Sequence, residues 1–220
     1  MIYRRIGLCI LWLILLACNK SPAKYTPTAK GLTRSGWKYY AQPDYTRAYK
    51  KFKEAYDLDN SYIPEYNGLI WSCLRLDSLD RGLYYTRMVQ NRTIDSMDLA
   101  LQIRAGAMMT AVMADSFMLA INLFAPDQYD WRGFVFQYDT LIIENDIRWS
   151  AALSYFYTQD YVKSAQQIQM VRPDWTYNTE SSDFISNLLA MLNLIGRQNR
   201  LTKPVLSLSE PVMDRKNSPE

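Results

Sequence analysis

The chain has 220 residues, 49% of them hydrophobic, and 25 basic side chains face 22 acidic ones for a net charge of +3. That is enough apolar material for a core, and once Arg4 and Arg5 at the extreme N-terminus are set aside the balance is +1, a near-neutral charge that argues against a nucleic-acid-binding protein. No histidine is present, and Cys73 is the one cysteine of the body. The usual general base, metal ligand and Ser-His pair are therefore missing, as is any internal disulfide or Cys-rich zinc site. This composition predicts a non-enzymatic protein with no cofactor and no metal.

The first predicted element is an address. Arg4 and Arg5 precede an uncharged apolar run from Ile6 to Leu16. Eleven helical residues reach about 16 Å, half of a bilayer core. That is a signal-peptide core and not a membrane span. The run ends in Leu15-Leu16-Ala17-Cys18, which resembles the bacterial lipobox. The resemblance implies a signal peptide over residues 1–17, cleavage after Ala17 and a diacylglycerol thioether on Cys18. Acyl chains contribute about 0.8 kcal/mol per buried CH₂, so two or three of them anchor effectively permanently. Asn19 follows the cysteine where an aspartate would mark inner-membrane retention in the enteric-type sorting rule, which favours the outer membrane. Residues 18–28 hold two prolines and small polar residues and read as a lipidated tether. Ser21 and Lys24 match the spacing S-x-x-K, but that nucleophile motif needs a buried helix start and partner motifs that a Pro-rich tether does not provide.

Helical periodicity then runs from residue 29 to about 199. Gly36-x₂-Tyr39 precedes Ala48-x₃-Phe52-x₂-Ala55, and Trp37 and Trp71 lie 34 residues apart. These motifs and this period resemble the tetratricopeptide repeat. The family's Trp slot holds Leu32, its Leu slot Ser35 and its final Pro slot Asn60. The expected fold is all-α: a solenoid of about four helix pairs with a C-terminal capping helix. Gly36, Ala48 and Gly82 are the expected helix crossings, with Tyr39, Tyr45 and Phe52 filling the space around them. Pro43 stops the first helix and Asp44 caps the second. The second pair is expected near Pro64–Leu76 and Leu79–Gln90, a third between Met97 and Ala125, and a fourth over Trp149–Asp174. Cys73 is expected to be a small core residue. A surplus of about ten residues before the fourth pair contains Trp131, Phe134, Phe136 and Tyr138, which suit either an inserted helix or an ordered loop. The terminal helix is expected to start near Asp183 and stop before Gly196. Residues 200–220 read as a mobile polar tail.

The repeat resemblance implies that first helices line a concave face that binds a protein or peptide. On it would lie Trp37, Tyr40, Asn67, Trp71 and Arg75, with Trp149 and Phe156 at matching places in the fourth pair. The same tryptophans could instead pack between neighbouring repeats or against the terminal helix. Tetratricopeptide lipoproteins of similar size serve β-barrel or pilus assembly. The implied role is a lipid-anchored adaptor in the cell envelope, partnered by an envelope protein or peptide and by the membrane through Cys18. The alternative is a glycan-binding lipoprotein using the same aromatics. Cys18→Ser is expected to abolish metabolic lipid labelling and to leave an uncleaved precursor. Processing at residue 18 with an unchanged membrane fraction would contradict the lipobox reading.

Overall fold

A computed structural model describes residues 26–198, and the described residues form nine helices. The expected signal peptide, Cys18, most of the tether and the polar tail lie outside the described residues. The helices are α1 (Ala29–Tyr40), α2 (Tyr45–Leu58), α3 (Pro64–Arg75), α4 (Leu79–Gln90), α5 (Met97–Met113), α6 (Phe117–Phe124), α7 (Glu144–Tyr157), α8 (Tyr161–Val171) and α9 (Phe184–Gln198). The chain is all-α among these residues, with one isolated antiparallel bridge, Val135 to Ile143. No helix among them is long and apolar enough to cross a membrane.

One kind of turn closes four helix pairs. The amide of Asp44 donates to the carbonyl of Tyr39, Ser78 to Cys73, Ser116 to Ala111 and Asp160 to Tyr155, each five residues back. In the last three the preceding residue, Asp77, Asp115 or Gln159, is left-handed, and its amide bonds three residues back, which makes each a Schellman stop. The following helix then starts at once. Asp44 and Asp160 accept the amides of Arg47 and Lys163 as N-caps, and Pro64 opens α3 where its missing N–H costs nothing.

Contacts between helices are sequential. Within a pair, α1 packs on α2, α3 on α4, α5 on α6 and α7 on α8. Between pairs, each first helix also packs on the next first helix, α1 on α3, α3 on α5 and α5 on α7, and α9 continues the series against α7 and α8. Small residues set these approaches. A Cβ on Gly36 would lie 2.6 Å from the Phe52 ring and one on Gly68 would overlap the same ring, so Phe52 is clasped between two glycine faces of α1 and α3. Ala48, Ala55 and Cys73 are fully buried. Gly82 faces Thr110 of the next pair.

Gly196 is not the helix stop that its position suggests. It lies within α9, where a Cβ would meet the Trp149 indole at 2.9 Å. Trp149 Nε1 donates to the Leu192 carbonyl at 2.9 Å, four residues before Gly196. Trp71 repeats the arrangement on α5. Its Nε1 donates to the Gln102 carbonyl at 3.0 Å, and its ring lies where a Cβ on Gly106 would be, 2.8 Å away. In both cases an indole on one first helix fills the notch that a glycine leaves on the next.

Glu65, in the first turn of α3, is fully buried, and neither oxygen has a hydrogen-bond partner on another residue. Burial pushes its carboxyl from the usual 4.5 up to about 8. The folded state thus holds a proton that the unfolded chain has already released. Its contribution to stability is full below pH 4.5 and is lost as pH rises to about 8. Urea unfolding should show Glu65→Gln gaining roughly 2–4 kcal/mol on the native sequence between pH 5 and pH 8. Parallel pH profiles for the two proteins would contradict the buried neutral carboxyl.

Candidate functional site: the first-helix face and its hairpin

The sequence between α6 and α7 supplies the main feature of this face. Gly133 adopts φ +71°, a left-handed conformation that suits glycine, and its amide donates to Glu144 Oε2 at 2.7 Å. Beyond it the chain forms a small hairpin. Phe136 N–H bonds to the Ile142 carbonyl at 2.9 Å, and Glu144 N–H to the Phe134 carbonyl at 2.8 Å. Alternation does the rest. Phe134, Phe136 and Ile142 are buried, while Val135, Leu141 and Ile143 are 48%, 70% and 38% exposed. The surplus segment is therefore an ordered loop and not a helix. Trp131 ties its start to α6, with Nε1 donating to the Phe124 carbonyl at 2.7 Å.

The buried side of the hairpin meets the residues predicted for partner binding. Phe136 stacks on Trp71, with centroids 4.0 Å apart and planes 15° apart, and meets Trp37 and Tyr40 edge-on at 6.0 and 6.1 Å. Tyr138 stacks on Trp37 at 3.6 Å and 2°. Asp139 forms an ion pair with Arg75, whose Nε also donates to the Tyr40 hydroxyl at 3.3 Å. Burial raises the Tyr40 hydroxyl well above its usual range despite Arg75, so it stays neutral. For Arg75, burial is more than offset by Tyr40 and Asp139, and the guanidinium is held charged. Gln102 completes the junction. Its Oε1 accepts from Asn67 Nδ2 at 3.1 Å and from Gln137 Nε2 at 3.0 Å, and its Nε2 donates to Asp98 at 2.8 Å.

Trp37, Tyr40, Asn67, Trp71 and Arg75 thus do come together on one face, but they are not the partly exposed surface expected. Trp71 has no exposed area, and Tyr40 and Asn67 are buried. Trp149 is buried under α9. Phe156 is half-buried and packs edge-on against Tyr161 at 5.3 Å. These two share no ring contact with the other five. Gln102, Phe136 and Asp139 join the site without a motif of their own in the sequence. The available signal was the Phe134-Val135-Phe136 alternation after Gly133.

Two open clefts lie away from this face. One, of about 230 Å³, has a floor of Val89, Ile103 and Leu123, with Arg92 and Arg104 at its edge. Arg104 there lies 4.0 Å over the Tyr129 ring, and its Nε and Nη2 donate to the Leu123 and Asn122 carbonyls. The other, of about 380 Å³, lies along α9 beside Trp175, Tyr177 and Phe184, whose rings stack at 5.4 and 5.8 Å, with Asn178 and Asn187 among its walls.

Comparison with known proteins returns no family model that matches the chain, and neither a curated protein nor a solved structure matches it.

Because Phe136 and Trp71 bury each other, truncating either should cost about 3–5 kcal/mol of stability. The double variant should cost less than the sum of the two, since neighbours in contact couple. Urea unfolding of Trp71→Ala, Phe136→Ala and the pair checks this. A Trp71→Ala protein of unchanged stability would mean that the indole is not covered.

Proposed function

We propose that this chain is a lipid-anchored adaptor of the bacterial cell envelope, a tetratricopeptide-like solenoid that joins a membrane to a protein partner. The observation that carries the reading is the succession of four helix pairs with one shared closing turn, each first helix packed on the next. A 34-residue separation of Trp37 and Trp71 and the lipobox-like Leu15–Cys18 support it from the sequence. No histidine is available for acid–base chemistry.

Because the hairpin fills the first-helix face, the partner meets the hairpin's outer side and not the tryptophans beneath it. Val135, Leu141 and Ile143 there form an apolar rim of a kind suited to an apolar segment of an envelope protein. A second reading, a saccharide-binding lipoprotein, is favoured by the half-buried Trp175 and Tyr177 rings with amide side chains along their cleft. Flat apolar ring faces beside hydrogen-bonding groups suit sugar rings.

One experiment separates the two readings. Capture from an envelope extract on the wild-type chain should retain a defined protein partner. Leu141→Asp should weaken that capture by about 2 kcal/mol while moving stability by no more than about 0.5 kcal/mol. Retention by Leu141→Asp would remove the hairpin from the interface. A saccharide retained by the wild type and lost in Trp175→Ala would favour the second reading.

A further inference from the structure

We infer that the exposed side of α1 is a membrane-apposition surface that lies against anionic phospholipid head groups. α1 carries Lys30, Arg34 and Lys38 at successive helical turns, all three exposed and none in an ion pair or hydrogen bond. With a rise of 1.5 Å per residue the three cations span about 12 Å along one side of the helix. The opposite arc, Leu32, Thr33, Gly36, Trp37 and Tyr40, is buried. Eight other cations of the described residues form ion pairs, among them Arg47 with Asp44, Lys163 with Asp160 and Arg172 with Asp174. The α1 row has no such neutraliser, because α1 contains no carboxylate.

The chain's charge is also divided. From Cys18 to Pro43 it has five cations, Lys20 and Lys24 included, and no acid, since Asp44 is the first carboxylate in the sequence. After Pro43, 18 basic residues face 22 acidic ones. All of the net positive charge beyond the leader thus sits next to the predicted lipid. The remainder is net negative and is repelled by an anionic bilayer. Twelve residues separate Cys18 from Lys30, so a lipid on Cys18 would keep α1 within about 40 Å of the head groups. Electrostatic attraction acts over roughly 10 Å at 0.1 M salt. Within that tether radius, the field of the α1 row selects which side of the protein turns to the membrane. An acyl anchor holds the protein at the surface, and the cations orient it, so the hairpin and the α9 cleft keep a fixed presentation.

The inference deepens the membrane-anchored reading but is tested apart from it. The chain from residue 18 onward, carrying Cys18→Ser so that no acyl chain is present, is sedimented with vesicles of phosphatidylcholine alone or with 30% phosphatidylglycerol. Binding to the anionic vesicles alone is expected, falling steeply between 50 mM and 300 mM salt. Each Lys or Arg near an anionic surface contributes about 1 kcal/mol, so K30Q/R34Q/K38Q should lower partitioning roughly 100-fold. Its melting midpoint should be unchanged. K50Q/R81Q/R87Q, which removes three unpaired cations from α2 and α4, should lower it much less. Equal losses in the two triple variants, or no preference for anionic vesicles, would overturn the inference. Lipid labelling of the native chain in cells reports on the anchor separately, so failure of one does not pass for failure of the other.

Discussion

The face-to-face contact of Phe136 with Trp71 is the interaction on which the rest of the architecture depends. It joins segments 65 residues apart in sequence and closes an aromatic cluster that also includes Trp37, Tyr40 and Tyr138. Without the hairpin, α1 and α3 would present two indoles and the half-buried Arg75 guanidinium to water. With it, Arg75 has Asp139, and Gln102 has both Asn67 and Gln137. Stacked aromatic pairs add about 0.5–1.5 kcal/mol beyond their buried area. The larger effect is the removal of this whole face from water. A surface that could receive a partner's peptide is thereby occupied by the chain's own backbone turn.

A second device occurs twice among the described residues. Trp71 docks on Gly106 of α5 and Trp149 on Gly196 of α9, each indole N–H taking the carbonyl four residues before the glycine. The glycine lets the ring approach the helix axis, and the carbonyl satisfies a donor that would otherwise be buried alone. α9 receives Trp149 as α5 receives Trp71, so the terminal helix behaves as one more first helix. It packs on both helices of the last pair and covers Trp149. Trp37 is the exception. It stacks on Tyr138 of the hairpin, which adds the hairpin to the direct helix contacts that hold the first pair.

Much of this was legible in the sequence because it is local. Ala48, Phe52 and Ala55 mark one helix face, Asp44 and Asp160 mark helix starts, and Pro64 fits a first turn. Each is read from neighbours three or four residues away. What could not be read depends on distance. Trp37 and Trp71 share a face whether that face is open or filled, since helical spacing is the same in both cases. The filler is a period-two pattern only a few residues long, and its partners Trp71 and Trp37 lie 65 and 99 residues before Phe136. Gly196 looked like a stop because glycine ends helices more often than it accommodates an indole, and Trp149, which explains it, is 47 residues earlier. Gln102 gave no signal at all. Its importance comes from Asn67 and Gln137, each 35 residues away and brought to it only in the folded protein.

The central claim is that the segment between α6 and α7 is part of the core of the first-helix face. Amide hydrogen exchange tests it most directly. The amides of Phe136 and Glu144 are bonded to the Ile142 and Phe134 carbonyls beneath stacked rings, so they should exchange only through opening of the surrounding helices. Their protection should approach that of buried amides in α3. Exchange at the rate of an unstructured loop, with α1 and α3 still protected, would mean that the aromatic face stands open and that the hairpin does not fill it.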